Sequence, residues 1–275
     1  MMGRRKIFVP GMLIFGFLFL YVPILSMMFY SFNYSKLVTV WDHANSPTLK
    51  WYGQLFHDSQ IMGAAWLSIK IATINGFLAV ILGTLAGLVL ARFGRFRGRT
   101  LLAAMTTAPL VMPEVITGLA MLLLFVAMEQ LIGWPAGRGV TTIIIAHVTF
   151  SMAYVTVIIQ SRLANFDDSL EEAAMDLGAR PAKVFWRITL PLIMPAVISG
   201  WLLAFTLSWD DLVISSFTSG PGSSTLPMVV FSKVRLGVSP EINVLATITI
   251  GVVTLMIVAV SLWMARASRL EKTPA

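Results

Sequence analysis

The chain has 275 residues, 57% of them hydrophobic and 12% charged, with a formal net charge of +7 and no cysteine. Soluble domains carry about 25% charged residues, so an ordinary soluble domain is excluded, and the lack of cysteine excludes disulfides, thiolate metal sites and cysteine nucleophiles. The three histidines, His43, His57 and His147, form no ligand motif, so no metal site is expected, and no catalytic nucleophile–base constellation is present.

A membrane-spanning helix needs about 20 mostly apolar residues. Six segments meet this, at roughly 7–32, 61–91, 101–131, 140–161, 190–217 and 242–265. The expected fold class is all-α, a polytopic integral membrane protein with six transmembrane helices. Arg4, Arg5 and Lys6 precede an apolar run too long for a signal-peptide core and closed by no small-residue cleavage site, so it reads as an uncleaved first span. The loop over 32–60 has no long periodic stretch. Trp41 and Trp51 are expected to anchor it at the outer interface, and the Asn33-Tyr34-Ser35 sequon reads as chance.

Helix two carries Gly83-x-x-x-Gly87, a spacing that lets helices approach closely. Lys70 lies some turns in from its outer end and is expected to snorkel; the alternative is a positive lining to a pathway. Helix three contains Pro109, Pro113 and Glu114 within an apolar run. Each proline removes a backbone donor, and broken helix at membrane depth is tolerated where it lines a cavity or is buried in protein. Glu114 lies ~20 Å from the cytoplasmic end of the helix at 1.5 Å per residue. Either it is functional, the default for an intramembrane carboxylate, or it pairs with a hydroxyl or backbone group between helices.

Helix five ends in Leu207-Ser-Trp-Asp-Asp-Leu-Val213. Adjacent helical residues point about 100° apart, so Asp210 and Asp211 cannot share one direction: one is free to face a pathway while the other caps or pairs. Both being solvated at a helix end is the competing reading, and Trp209 is read as a belt residue or a ligand contact. Gly220-Pro-Gly-Ser-Ser-Thr reads as an outer turn, and 226–236 as a short interfacial helix.

Basic residues divide unevenly between the two sides. Fourteen lie before helix one, between helices two and three, between four and five, and after helix six; five lie in the other loops. The positive-inside rule therefore places both termini and the four–five loop in the cytoplasm, and gives the +7 charge a reading other than nucleic-acid binding.

The four–five loop has a helix–turn–helix grammar. Ser169-x-x-Glu172 has the form of a capping box, and Asp167, Asp168, Glu171 and Glu172 suit the positive end of a helix dipole. Leu170, Ala173, Ala174 and Leu177 give one small apolar face. Gly178 is placed for a left-handed stop, and Pro181 for the first turn of the next helix. Such a knob either docks to a partner or lies on its own membrane domain.

Glu172-Ala173-Ala174-x3-Gly178-x9-Ile188-x-Leu190-Pro191 resembles the EAA loop of ABC-importer permeases at every signature position. Ser35–Trp41, Arg92–Gly98, Ala108–Pro113, Ala146–Phe150, Ser208–Val213 and Pro240–Asn243 are similar to the polyamine branch of that family, most closely to its second putrescine permease subunit. Glu114 stands where that branch has Asp, and Trp209 interrupts a Leu-Asp-Asp pattern.

The resemblance implies a type I importer permease in a bacterial inner membrane, moving a polyamine, with putrescine expected and spermidine or another small cation as alternatives. It implies a first helix and outer loop over 1–60, a transmembrane domain over 61–265 with a cytoplasmic coupling loop at 162–191, and a tail at 266–275. Glu171, Glu172, Ala173, Ala174, Gly178, Leu190 and Pro191 would couple to an ATPase, and Glu114, Trp209, Asp210 and Asp211 would line the substrate pathway. Implied partners are a sibling permease, two ATPase subunits holding ATP and Mg, and a periplasmic polyamine-binding protein. The chain lacks a phosphate-binding loop and is expected to bind no cofactor itself. An ion-coupled secondary transporter is the alternative from another class.

Overall fold

A computed structural model describes residues 2–37, 40–164, 166–237 and 239–270. Val38 and Thr39 of the outer-loop resemblance, Asn165 of the coupling loop and the tail from 271, with Lys272, lie outside them. Among the described residues the elements are all helical: α1 (Met2–Tyr30), α2 (Lys50–His57), α3 (Ser59–Arg92), α4 (Arg99–Val111), α5 (Glu114–Ile132), α6 (Val140–Ala164), α7 (Ser169–Asp176), α8 (Pro181–Val184), a π-helical turn (Phe185–Thr189), α9 (Leu190–Trp209), α10 (Val213–Thr218), α11 (Leu226–Leu236) and α12 (Pro240–Leu270).

Among the described residues, five stretches are long and apolar enough to cross a membrane: Phe8–Tyr30, Ser59–Arg92, Glu114–Ile132, Val140–Ala164 and Pro181–Trp209. They match five of the six expected spans. The sixth falls within α12, whose 31 residues reach ~46 Å at 1.5 Å per residue.

Two expected spans are interrupted. Helix three divides into α4 and α5 at Met112, whose extended backbone (φ −82°, ψ 136°) is what the following Pro113 imposes. Pro109 is carried inside α4 without ending it. Helix five stops at Trp209, and the short α10 follows only after Asp210–Leu212.

The chain forms two compact units, residues 1–62 with 230–275, and residues 63–229. In the first, Asn33 organises the outer loop. Its side-chain oxygen accepts from the Asp42 amide at 3.0 Å and the Ser46 hydroxyl at 3.1 Å, and its amide donates to the Val40 carbonyl at 2.7 Å. Asn33 is 1% exposed, which agrees with reading the sequon as chance. Trp51, expected to anchor at the interface, is instead buried within the chain in the first turn of α2, its indole N–H donating to the Asn33 carbonyl at 2.7 Å. An indole that finds an internal acceptor can be buried whole. Trp41 stacks on Phe29 of α1, ring centroids 4.3 Å apart.

The second unit is built around α6. Its Val155, Ile159 and Leu163 pack with Ala79 of α3 and with Ile193 and Ala204 of α9. Toward the other end, Ala146 and Phe150 pack with Phe125 of α5 and Ile214 of α10. Lipid tails are as apolar as these side chains, so close packing rather than water exclusion holds such helices together. Gly83 shows how close: a Cβ there would lie 2.6 Å from that of Val155. The expected small-residue contact is thus made inside the chain, α3 on α6. Asn75 of α3 pins the same junction, its amide donating to the Ser151 hydroxyl at 3.1 Å and the Ala204 carbonyl at 2.7 Å. Lys70 is exposed, its ammonium over the Trp66 ring one turn nearer the helix start at 5.4 Å, the direction a snorkelling side chain takes.

Candidate functional site

The coupling loop folds into a closed helical knob. The C-terminus of α7 is a Schellman turn: the Gly178 amide bonds the Met175 carbonyl at 2.8 Å, and the Ala179 amide the Ala174 carbonyl at 3.1 Å. Gly178 has φ +84°, the left-handed value this turn needs and glycine supplies cheaply. Arg180 is extended and Pro181 opens α8, as a residue before proline and a proline in a first turn require. The π-helical turn follows, its mark being the Leu190 amide bonded to Phe185, five residues back.

The N-terminus of α7 differs from the expected capping box. Ser169 is the first helical residue, and the cap position falls to Asp168, which makes no side-chain bond to the helix amides. The reason is local competition. The Asp167 carboxylate takes the Ser169 amide at 3.0 Å, starting the turn one residue early, while the Asp168 carboxylate is bound by Arg92. Bonds from the Ser169 side chain and amide hold the Asp167 carboxyl below the usual carboxylate range.

The expected coupling residues occupy different places. Glu172, Ala173 and Gly178 are exposed on the knob, and Ala174 is half-buried. Glu171 turns inward, accepting from the Thr189 hydroxyl at 2.6 Å and lying 3.5 Å from the Arg92 guanidinium. Leu190 packs on the core of the second unit, and Pro191 is exposed in the first turn of α9.

The acids of helix five divide in the same manner. The Asp211 side chain is 7% exposed and bonds His147 Nε2 at 3.1 Å. It also accepts the Ile214 and Ser215 amides at 3.1 and 2.7 Å, capping α10. His147 in turn bonds Ser208 through Nδ1 at 2.7 Å and lies 3.1 Å from the Ser215 hydroxyl. With its carboxylate bonds turned to the protein interior, Asp211 joins α6 to the start of α10 across the break. Asp210 is exposed.

Trp209 is half-buried in an aromatic ladder along α9. It stacks on Phe205 (6.2 Å between centroids, 9° between planes), which stacks on Trp201 (5.4 Å, 22°). Glu114 is exposed in the first turn of α5, with no hydrogen-bond or ion-pair partner among the described residues.

Sequence reasoning missed Arg92 as a partner of the loop acids, His147 as the partner of Asp211, and Asn75. The Trp201-x3-Phe205-x3-Trp209 spacing was the one signal that could have revealed the ladder. Among the described residues no cluster of His, Asp and Glu has the makings of a metal site.

Apolar helices of membrane-spanning length, two of them broken, with a polar helical knob between α6 and α9, fit a membrane transport component, and the chain belongs to the family of binding-protein-dependent transport system inner membrane components, whose model matches residues 83–270. Over 257 residues it is 62% identical to the putrescine transport system permease protein PotI of Escherichia coli (strain K12), covering 94% of this chain and 90% of that protein. Over 243 residues it is 40% identical to the spermidine/putrescine transport system permease protein PotC of Haemophilus influenzae, covering 88% and 90%. Among solved structures the fold is similar to a bacterial ABC transporter that imports the acidic polysaccharide alginate, with a TM-score of 0.70 at 19% identity over 94% of this chain and 96% of that one. The same holds for the bacterial alginate transporter in complex with its alginate-bound periplasmic protein, with a TM-score of 0.70 at 16% identity over 99% and 98%.

Proposed function

We propose that this chain is one of two permease subunits of an ATP-driven polyamine importer in a bacterial inner membrane, with putrescine as cargo. The observation that carries the reading is the 62% identity to a putrescine permease across 94% of the chain. In this reading six spans with cytoplasmic termini place α7 in the cytoplasm. Residues 61–265 form the transmembrane domain and 162–191 its coupling loop. A sibling permease completes the pathway, two ATPase subunits bind ATP and Mg, and a periplasmic protein delivers the cargo.

The chemistry of a cation fits the break after α9. A single charge at the bilayer centre costs at least ~2.5–3.5 kcal/mol, and a diamine carries two, so its route needs compensating negative groups. Asp210 caps the C-terminus of α9, where the unpaired carbonyls already make the negative end of the helix dipole. An acid there is locally unfavourable and becomes favourable when a cation arrives. Trp209 beside it offers a ring face, worth ~0.5–2 kcal/mol to a cation. Glu114, exposed at the start of α5, is a second acidic station.

Coupling requires a surface that a partner can grip. The exposed Glu172 and Ala173 supply it on a helix whose end is fixed by the Gly178 turn. The test is uptake into vesicles holding the reconstituted complex, with ATP inside, the binding protein outside, and putrescine, spermidine or an amino acid as cargo. Putrescine uptake that requires ATP is the expected result. Uptake driven by a proton gradient without ATPase subunits would contradict it.

A further inference from the structure

We propose that Arg92 is a positioning residue that clamps α7 to the membrane body through Glu171 and Asp168, so that motion received by α7 is passed to α3 and α9 together. This rests on the importer reading above, in which α7 meets the ATPase.

Packing alone cannot hold α7. None of its residues is buried. Beside it lies an open cleft of about 140 Å³, lined by the apolar Leu88, Met175, Val184 and Phe185 and by the polar Arg92, Glu171 and Thr189. Across such a cleft the apolar walls of α3 and α7 make no continuous packed contact. What bridges α7 to the rest of the chain is polar. Arg92, the last residue of α3, binds the Asp168 carboxylate with one guanidinium nitrogen and approaches Glu171 with another at 3.5 Å. The same Glu171 oxygen accepts from Thr189 at 2.6 Å, and Thr189, 3% exposed, directly precedes α9. Arg92 also lies over the Phe166 ring at 5.1 Å, which orients the guanidinium plane.

One carboxylate is therefore shared between the end of α3 and the start of α9, about 100° around α7 from the exposed Glu172. Arginine suits this task. Its planar fork reaches two carboxylates at fixed geometry, whereas a lysine ammonium is a point charge on a flexible stem.

The measurement is the number of ATP molecules hydrolysed per putrescine transported by the complete reconstituted complex. In Arg92→Gln the ratio is expected to rise at least about tenfold, the scale of losing charge-assisted bonds, with the ATPase subunits still bound. Arg92→Lys is expected to fall between, and Thr189→Val, which removes one arm only, to raise the ratio severalfold. The paired exchange Arg92→Glu with Glu171→Arg should bring the ratio back toward wild type. An Arg92→Gln ratio equal to that of wild type would overturn the clamp. Loss of the ATPase subunits from Arg92→Gln would also overturn it, by making Arg92 an assembly residue. Absence of ATP-driven uptake in the wild-type complex would instead overturn the importer reading, and the clamp's role with it.

Discussion

Glu171–Glu172 in the coupling loop and Asp210–Asp211 after α9 are both pairs of adjacent acids at a helix end, and both split into an inward and an outward member. In the loop the inward acid is the first: Glu171 reaches Thr189 and Arg92. After α9 it is the second: Asp211 reaches His147 and the first amides of α10. The surroundings differ more than the pairs do. Glu171 lines an open cleft, whereas Asp211 is sealed against a histidine that is 2% exposed. The loop's inner acid is thus fit to transmit movement, and the outer break's inner acid to resist it.

Breaking the sealed network should have the largest effect. Asp211→Ala leaves two helix amides without their side-chain acceptor and takes a partner from His147, and each buried polar group left unsatisfied costs about 1–3 kcal/mol. The expected outcome is a large drop in the thermal unfolding midpoint of the detergent-solubilised protein and little folded protein in the membrane. A near-normal midpoint would mean that the break is held elsewhere. Asp210→Asn sharpens the contrast from the other side. An exposed surface change lies within about ±0.5 kcal/mol of neutral, so the midpoint should hold while putrescine uptake falls severalfold. Equal uptake by Asp210→Asn and wild type would remove Asp210 from the pathway.

The smallest effect is expected outside both regions. Asp58 caps α3 through the Gln60 and Ile61 amides and accepts from Lys233 at 2.6 Å. Burial opposes ionisation of Asp58, but Lys233 and these amides hold its carboxyl below the usual range. Burial likewise opposes the Lys233 charge, and Asp58 and Glu241 outweigh it, raising the ammonium's pKa. The carboxylate's contribution is present above its unfolded value of 3.8 and is lost as pH falls through its lowered folded value. The ammonium's is present below 10.5 and is lost as pH rises through its raised folded value. Asp58→Asn should cost about 1 kcal/mol, the scale of a cap and a partly exposed ion pair. Midpoints from pH 3 to pH 11 should show that difference in full between those limits, lose it as the carboxylate is protonated in acid, and keep only the cap's share once Lys233 loses its charge in alkali.

Much of this architecture was legible because it is local. Apolar run lengths marked the spans, Pro113 marked the break in helix three, and Gly178 marked the end of α7. The 100° offset between neighbours implied that Asp210 and Asp211 would part, but it assumed a helix through both, and α9 stops at Trp209. What the residues could not reveal was which acid turns inward, since that depends on partners far along the chain: Arg92 for Glu171, His147 for Asp211. Asn75 was invisible for the same reason, its two partners lying in α6 and α9. The capping box failed by a single residue, because Asp167 and Arg92 competed for the groups that would have formed it.

The division of the loop acids can be measured directly, because the chain has no cysteine of its own. Glu171→Cys and Glu172→Cys variants in inside-out vesicles would be labelled with a membrane-impermeant maleimide, with and without the ATPase subunits. The account predicts fast labelling at position 172 that the ATPase subunits suppress, and slow labelling at position 171 in both conditions. Equal labelling of the two positions, or labelling at 172 that the ATPase leaves unchanged, would contradict it.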